Sequence, residues 1–140
     1  MKTVLVFGTF DVIHPGHISF LKQARSKGDR LIASIARDDF VKGYKGRKPI
    51  HGEEERLSHI LEIGLVDEAY LSDPLTGTYS LVKRLKPDVV CFGHDQEALR
   101  KNMMDWLVKN RVSLETVTLS PYRPEMYNSS RLNKSGGREK

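Results

Sequence analysis

Cysteine is nearly absent. Cys91 stands alone in 140 residues, which excludes an internal disulfide framework and a cysteine-built zinc site. Long apolar runs are missing too, so no stretch reads as a bilayer span. Met1-Lys2-Thr3-Val4-Leu5-Val6-Phe7 is too short for a signal peptide, lacks a small-residue cleavage site and reads as a buried first strand. These absences predict a cytoplasmic protein with no membrane partner. No tight basic run carries interleaved aromatics, although Lys and Arg number 23 against 18 acidic residues. Nucleic acid is therefore not the expected partner. The formal charge of +5 is left to solubility or to an anionic small ligand, for which a phosphorylated molecule fits best. What is present suits one soluble globular domain with one core: 39% hydrophobic and 29% charged residues.

Strand and helix signals alternate along the chain. Val4 to Phe7 is a short apolar run ending at Gly8. Pro15 to Lys27 reads as a helix with Ile18, Leu21 and Ala24 on one buried stripe and Gly28 as its stop. Leu31 to Ala36 is a second strand. His51 opens another helix, whose acidic first turn suits the positive end of the helix dipole and whose inner face is Leu57, Ile60 and Leu61. Strands at Asp67 to Leu71, Asp88 to Phe92 and Ser113 to Leu119 alternate with helices at Thr76 to Leu85 and Gln96 to Lys109. This order predicts an α/β protein with a doubly wound, Rossmann-like parallel five-stranded sheet, helices covering both faces. Residues 1–134 read as one domain and 135–140 as a disordered tail. In such sheets ligands bind beyond the carboxyl ends of the strands, which directs attention to the segments after Phe7, Ala36 and Phe92.

The first of these segments is Gly8-Thr9-Phe10-Asp11-Val12-Ile13-His14-Pro15-Gly16-His17. Gly8 lets the chain turn and a phosphate approach. Pro15 fits the first position of a helix. His14 and His17, three apart at that helix start, share one side. Free N–H groups and the positive helix end there favour an anion. The two imidazoles would add donors for a polyphosphate; as metal ligands they lack an obvious third partner. Taken singly, each element is an ordinary turn or surface residue; together they are much more specific.

Gly8-Thr9-Phe10-Asp11 followed by His14-Pro15-Gly16-His17 resembles the HxGH nucleotidyltransferases, the cytidylyltransferases and related adenylyltransferases. The likeness extends over most of residues 3 to 132. It implies in-line attack by an acceptor phosphate on the α-phosphorus of a nucleoside triphosphate, with pyrophosphate leaving and magnesium bound with the triphosphate. The acceptor is already an anionic nucleophile, so the protein has chiefly to position the reactants and neutralise charge. The resemblance implies catalytic roles for His14, His17, Lys45 and Arg47, the last two in a basic loop, residues 41–49. It implies nucleotide or substrate contacts for Gly8, Thr9, Phe10, Asp11, Gly16, Asp38, Gly93, His94 and Asp95. Asp95 doubles as a candidate cap for the next helix. Near the end it points to Arg123, Ser129, Ser130 and Arg131, with Asn128 where the family commonly has serine.

Two branches of that family compete. Ala36-Arg37-Asp38-Asp39, Lys45 to Ile50, and Lys86-Pro87-Asp88 through Gly93-His94-Asp95-Gln96 look closest to single-domain FAD synthases of archaea. That branch implies transfer of AMP from ATP to FMN. The cytidylyl branch, acting on glycerol 3-phosphate or a related alcohol phosphate, is matched in part by Arg123 and Glu125; Gly64-Leu65 stands before Val66-Asp67 where that branch usually has Arg-Tyr. A nucleotide sensor without activity is the non-enzymatic alternative, opposed by the intact histidine pair. Tyr122, Tyr127 and Trp106 are candidates for stacking on a flavin, with core packing preferred for Trp106. Family members are often homodimers.

Overall fold

In the computed structural model, residues 1–74 and 77–122 are described. The tail at 135–140, the candidates Arg123, Ser129, Ser130 and Arg131, and Asn128 and Tyr127 lie outside them. Five strands run β1 (Thr3–Gly8), β2 (Arg30–Ile35), β3 (Glu68–Leu71), β4 (Val89–Phe92) and β5 (Glu115–Thr118). Five helices run α1 (Pro15–Arg25), α2 (Asp38–Lys45), α3 (Glu53–Glu62), α4 (Ser80–Leu85) and α5 (Glu97–Lys109).

The sheet order is β3-β2-β1-β4-β5, and every pairing is parallel. Side chains alternate across it with a period of two residues, so each buried strand feeds two cores. Val4, Val6, Ala33 and Cys91 point to one face and pack with Leu21 and Ala24 of α1 and Ile60 of α3. Leu5, Ile32, Val90 and Phe92 point to the other and pack with Val82 of α4 and Met103 and Leu107 of α5. Burial pushes the Cys91 thiol up to about 11, so it behaves as a small apolar group. The chain leaves β1 toward β2 and later returns to β4 on the other side. The crevice outside the carboxyl ends of β1 and β4 is therefore the topological switch point.

Three expectations need correction. Residues 41–45 of the basic loop expected at 41–49 belong to α2, with Asp38 and Asp39 in its first turn and Gly46 closing it in the left-handed region at φ 76°. A single buried residue, Val41, leaves almost no apolar period to read. The helix expected from Thr76 begins only at Ser80. Tyr79 before it is left-handed at φ 45°, and the Asp73 carboxylate accepts from the Ser80 N–H at 2.8 Å and from the Thr78 and Ser80 hydroxyls. In α3 the buried pair is Arg56 and Ile60, while Leu61 is exposed. Trp106 sits against the second core, its ring 5.5 Å from that of Tyr79.

Candidate active site

The switch-point crevice is floored by one side chain. Gln96 accepts from the Gly93 N–H at 2.8 Å through Oε1 and donates through Nε2 to the Phe7 carbonyl at 2.9 Å. It fixes the separation of β4 and β1 where their outgoing segments diverge. Gln96 is also the residue that precedes α5, so Asp95 does not cap that helix and its exposed carboxylate is left for other work. A Cβ on Gly93 would lie 3.0 Å from Asp95 Oδ1, which ties glycine at 93 to the position of Asp95.

The segment after β1 is bent around Phe10. This residue is buried and adopts φ 50°, an unfavourable region for a side chain that costs on the order of 1–3 kcal/mol. Its ring folds back over Gly8, where a Cβ would come within 2.5 Å of Phe10 Cε2. The same ring meets His17 edge-on at 5.4 Å and Phe20 at 6.3 Å. Phe10 thus stands behind His17 as support and takes the space that Gly8 leaves.

His14 and His17 cap α1 reciprocally. The His14 Nδ1 accepts from the Gly16 N–H at 3.1 Å, and the His17 Nδ1 accepts from the His14 N–H at 3.3 Å. Their rings stack at 3.8 Å. Gly16 permits this fold-back, since a Cβ there would lie 2.8 Å from His14 Cε1. The expectation of free backbone donors at this helix start is therefore corrected. Pro15 has no N–H, Gly16 donates to His14, and the His17 and Ile18 N–H groups both donate to the His14 carbonyl. With both Nδ1 atoms accepting, each neutral imidazole carries its proton on Nε2. Nε2–H is the remaining donor of His14, while the Val12 carbonyl accepts from the His17 ring.

Electrostatics keep His17 neutral. Burial lowers its pKa most and His14 next; the Val12 carbonyl opposes, Lys45 lowers it further and Asp95 opposes, leaving it at about 4. Because the folded value lies below the unfolded one, this group destabilises the fold as pH falls from about 6.5 toward 4. At neutral pH its charge is absent in both states. Imidazole NMR should accordingly show His17 as the Nε2–H tautomer with no titration between about pH 8 and 5.5. A midpoint near 6.5, or an Nδ1–H tautomer, would contradict the capping geometry. Lys45, in the last turn of α2, and Asp95, beyond β4, are the charged candidates whose fields reach His17.

Other candidates are engaged elsewhere. Asp11 accepts from the Ile50 and His51 N–H groups, each at 2.8 Å. Burial opposes its ionisation, but these donors, with Arg56 and His51 nearby, hold its carboxyl below the usual carboxylate range. Asp38 accepts from Arg56 Nη2 at 2.7 Å, and the Thr9 carbonyl accepts from Arg56 Nη1 at 2.8 Å. Arg47 and His94 are exposed. The segment after β5 returns to the site because Gln23 and Ser120 exchange two bonds of 3.0 Å. That exchange brings Tyr122 beside Gly16, whose added Cβ would lie 3.9 Å from Tyr122 Cβ.

Residues 5–132 match the cytidylyltransferase-like family model. The chain belongs to the cytidylyltransferase-like family. It is 39% identical over 132 residues to the FAD synthase of Thermococcus kodakarensis, covering 94% of this chain and 86% of that one. It is 41% identical to the FAD synthase of Methanothermobacter thermautotrophicus, covering 88% and 82%. Among solved structures, the lipopolysaccharide core biosynthesis protein of Thermoplasma volcanium superposes with a TM-score of 0.81 at 32% identity, covering 88% of this chain and 99% of that one. As a cytidylyltransferase-like protein, the chain is a nucleotidyltransferase with the five-stranded parallel sheet of its structural relatives. Sequence reasoning missed Arg56 and Gln96, the two side chains that hold the crevice-lining segments of this cytidylyltransferase-like site together. Among the described residues no helix is long and apolar enough to cross a membrane.

Proposed function

We propose that the chain is an FMN adenylyltransferase, transferring AMP from ATP to FMN and releasing pyrophosphate. The observation that carries the reaction type is the stacked His14–His17 pair, fixed at the start of α1 by its own Nδ1 bonds. The substrates rest on the near-full-length likeness to archaeal FAD synthases. A phosphate oxygen of FMN attacks the α-phosphorus of ATP. The new P–O bond forms as the bond from the α-phosphorus to the bridging oxygen breaks, and pyrophosphate leaves with that electron pair. No base is needed, because the attacking phosphate is already ionised. The Nε2–H of His14 donates to a triphosphate oxygen as charge builds on the leaving group, and that of His17 does so by exchanging the Val12 carbonyl for the phosphate. A neutral His17 suits a donor that stays in place while charge moves.

Lys45 supplies positive charge at this point, with Arg47 following it beyond Gly46. Thr9, Asp11 and Asp38 serve mainly by shaping the crevice wall, whereas Gly93, His94 and Asp95 border the nucleotide. Among the described residues no group of three or more His, Cys, Asp or Glu could hold a metal ion. Magnesium would enter with ATP, held chiefly by its phosphate oxygens, and would share the neutralising of leaving-group charge. A cytoplasmic location suits substrates of this kind.

Pyrophosphate release with magnesium, crossing ATP and CTP with FMN and glycerol 3-phosphate, tests the reading. Turnover with ATP and FMN, with FAD formed, is expected. Turnover confined to CTP and glycerol 3-phosphate would replace it with the cytidylyl branch, and nucleotide binding without turnover would leave a sensor. In the same assay Lys45→Ala should raise the KM for ATP about tenfold, the loss of one charge-assisted contact, with the fold intact because Lys45 is exposed. Unchanged kinetics would remove Lys45 from the site.

A further inference from the structure

Helix α2 carries two large aromatic side chains that the proposed chemistry has not used. Phe40 is 47% exposed and Tyr44 is 77% exposed. Their rings stack almost parallel, 5.9 Å apart at an interplanar angle of 7°. Four residues apart, they form one ridge on the helix surface. Val41 and Lys45, also four apart, form the neighbouring ridge; Val41 is buried and Lys45 acts on His17. The aromatic ridge therefore borders the side of α2 that carries Lys45.

The start of this helix is anchored. The Asp38 N–H donates to Glu53 Oε1 at 2.8 Å, and the Asp38 carboxylate accepts from the buried Arg56. Lys45 on the neighbouring ridge is exposed, as are Arg47 and Lys48 just beyond the helix, and the exposed Asp39 flanks the ridge on its other side. An exposed aromatic platform with cations toward its C-terminal end fits a ligand that is itself planar at one end and phosphorylated at the other.

We propose that Phe40 and Tyr44 form the stacking platform for the isoalloxazine ring of the acceptor, resting on the FMN adenylyltransferase reading. The ribityl arm then carries the phosphate from α2 toward His14, His17 and Lys45. The platform selects for a planar heteroaromatic acceptor and against a short alcohol phosphate, which has no ring to stack.

Steady-state kinetics of FAD formation, with FMN fluorescence quenching as a second readout, test this on the wild type, Phe40→Ala, Tyr44→Ala and Tyr44→Trp. Loss of one stacking ring should raise the KM for FMN about tenfold or more and weaken quenching in parallel, with the KM for ATP little moved. Tyr44→Trp should retain both FMN affinity and quenching. Both side chains are exposed, so circular dichroism should be unaltered. FAD formation by the wild type with the KM for FMN unchanged in both alanine variants would overturn the platform and leave the reaction standing. So would a change of oligomeric state without a change in FMN affinity. No FAD formation by the wild type would overturn the reaction and the platform together.

Discussion

His17→Ala is expected to lower turnover roughly a hundredfold or more, the scale for removing one preorganised donor to developing charge. His14→Ala should do the same. The two rings are not independent, because each Nδ1 is spent on the helix start and each ring lies against the other. Removing His17 also frees the His14 N–H and opens the face of Phe10. Removing His14 leaves the Gly16 N–H without its acceptor. Lost capping of this kind costs about 1 kcal/mol, too little to unfold the domain. Stability and catalysis therefore separate: a modest fall in melting temperature with a large fall in kcat. The double variant should lose less than the product of the single effects, since either substitution already disorders the pair. Turnover near the wild-type level in both single variants would sink the donor mechanism. His17→Asn sharpens the test: its amide can offer a donor but is too short to keep the imidazole geometry, so it should stay closer to alanine than to wild type.

The parts legible in the sequence were those with a local signature. Strands β1 and β4 announce themselves as apolar runs ending in glycine, and α1 as a stripe with Leu21 and Ala24 buried where the spacing places them. Its Pro15 and two histidines are local enough to mark the helix start and the candidate site. The rest depends on partners far along the chain. Asp11 and Asp38 look like ligand contacts because their use as anchors requires Ile50 and His51, or Arg56, to arrive in space. Helix α2 escapes because one buried residue makes no period. Gln96 reads as an ordinary helix-start residue until its carboxamide is seen to bridge Gly93 and Phe7, the latter 89 residues away. One signal was available for Arg56. It stands four before Ile60 on α3, so a charged residue occupies the helix's buried stripe, and a buried arginine needs acceptors.

Arg56→Met is expected to destabilise the domain by about 3 kcal/mol and to lower the melting temperature by roughly 10 °C. The guanidinium is fully buried and donates to the His51 carbonyl at 3.0 Å, the Thr9 carbonyl at 2.8 Å and the Asp38 carboxylate at 2.7 Å. A methionine fills similar volume but satisfies none of these acceptors. Each buried acceptor left without a donor costs about 1–3 kcal/mol. Asp38 contributes the smaller share, because its side chain is 39% exposed and water can replace the lost partner. The functional loss should exceed the loss of stability. Arg56 joins three segments that bear on the crevice: the turn leading to His14, the start of the helix that carries Lys45, and the start of α3. At a temperature where the variant remains folded, kcat should still fall at least about tenfold, since small misplacements of catalytic groups are costly. Arg56→Lys should recover little, because a single ammonium cannot span acceptors arranged for a planar fork. Paired thermal melts and low-temperature kinetics decide the matter. A melting temperature and a kcat both close to wild type would show that the three segments hold their places without Arg56. A large melting shift with kcat intact would confine it to stability.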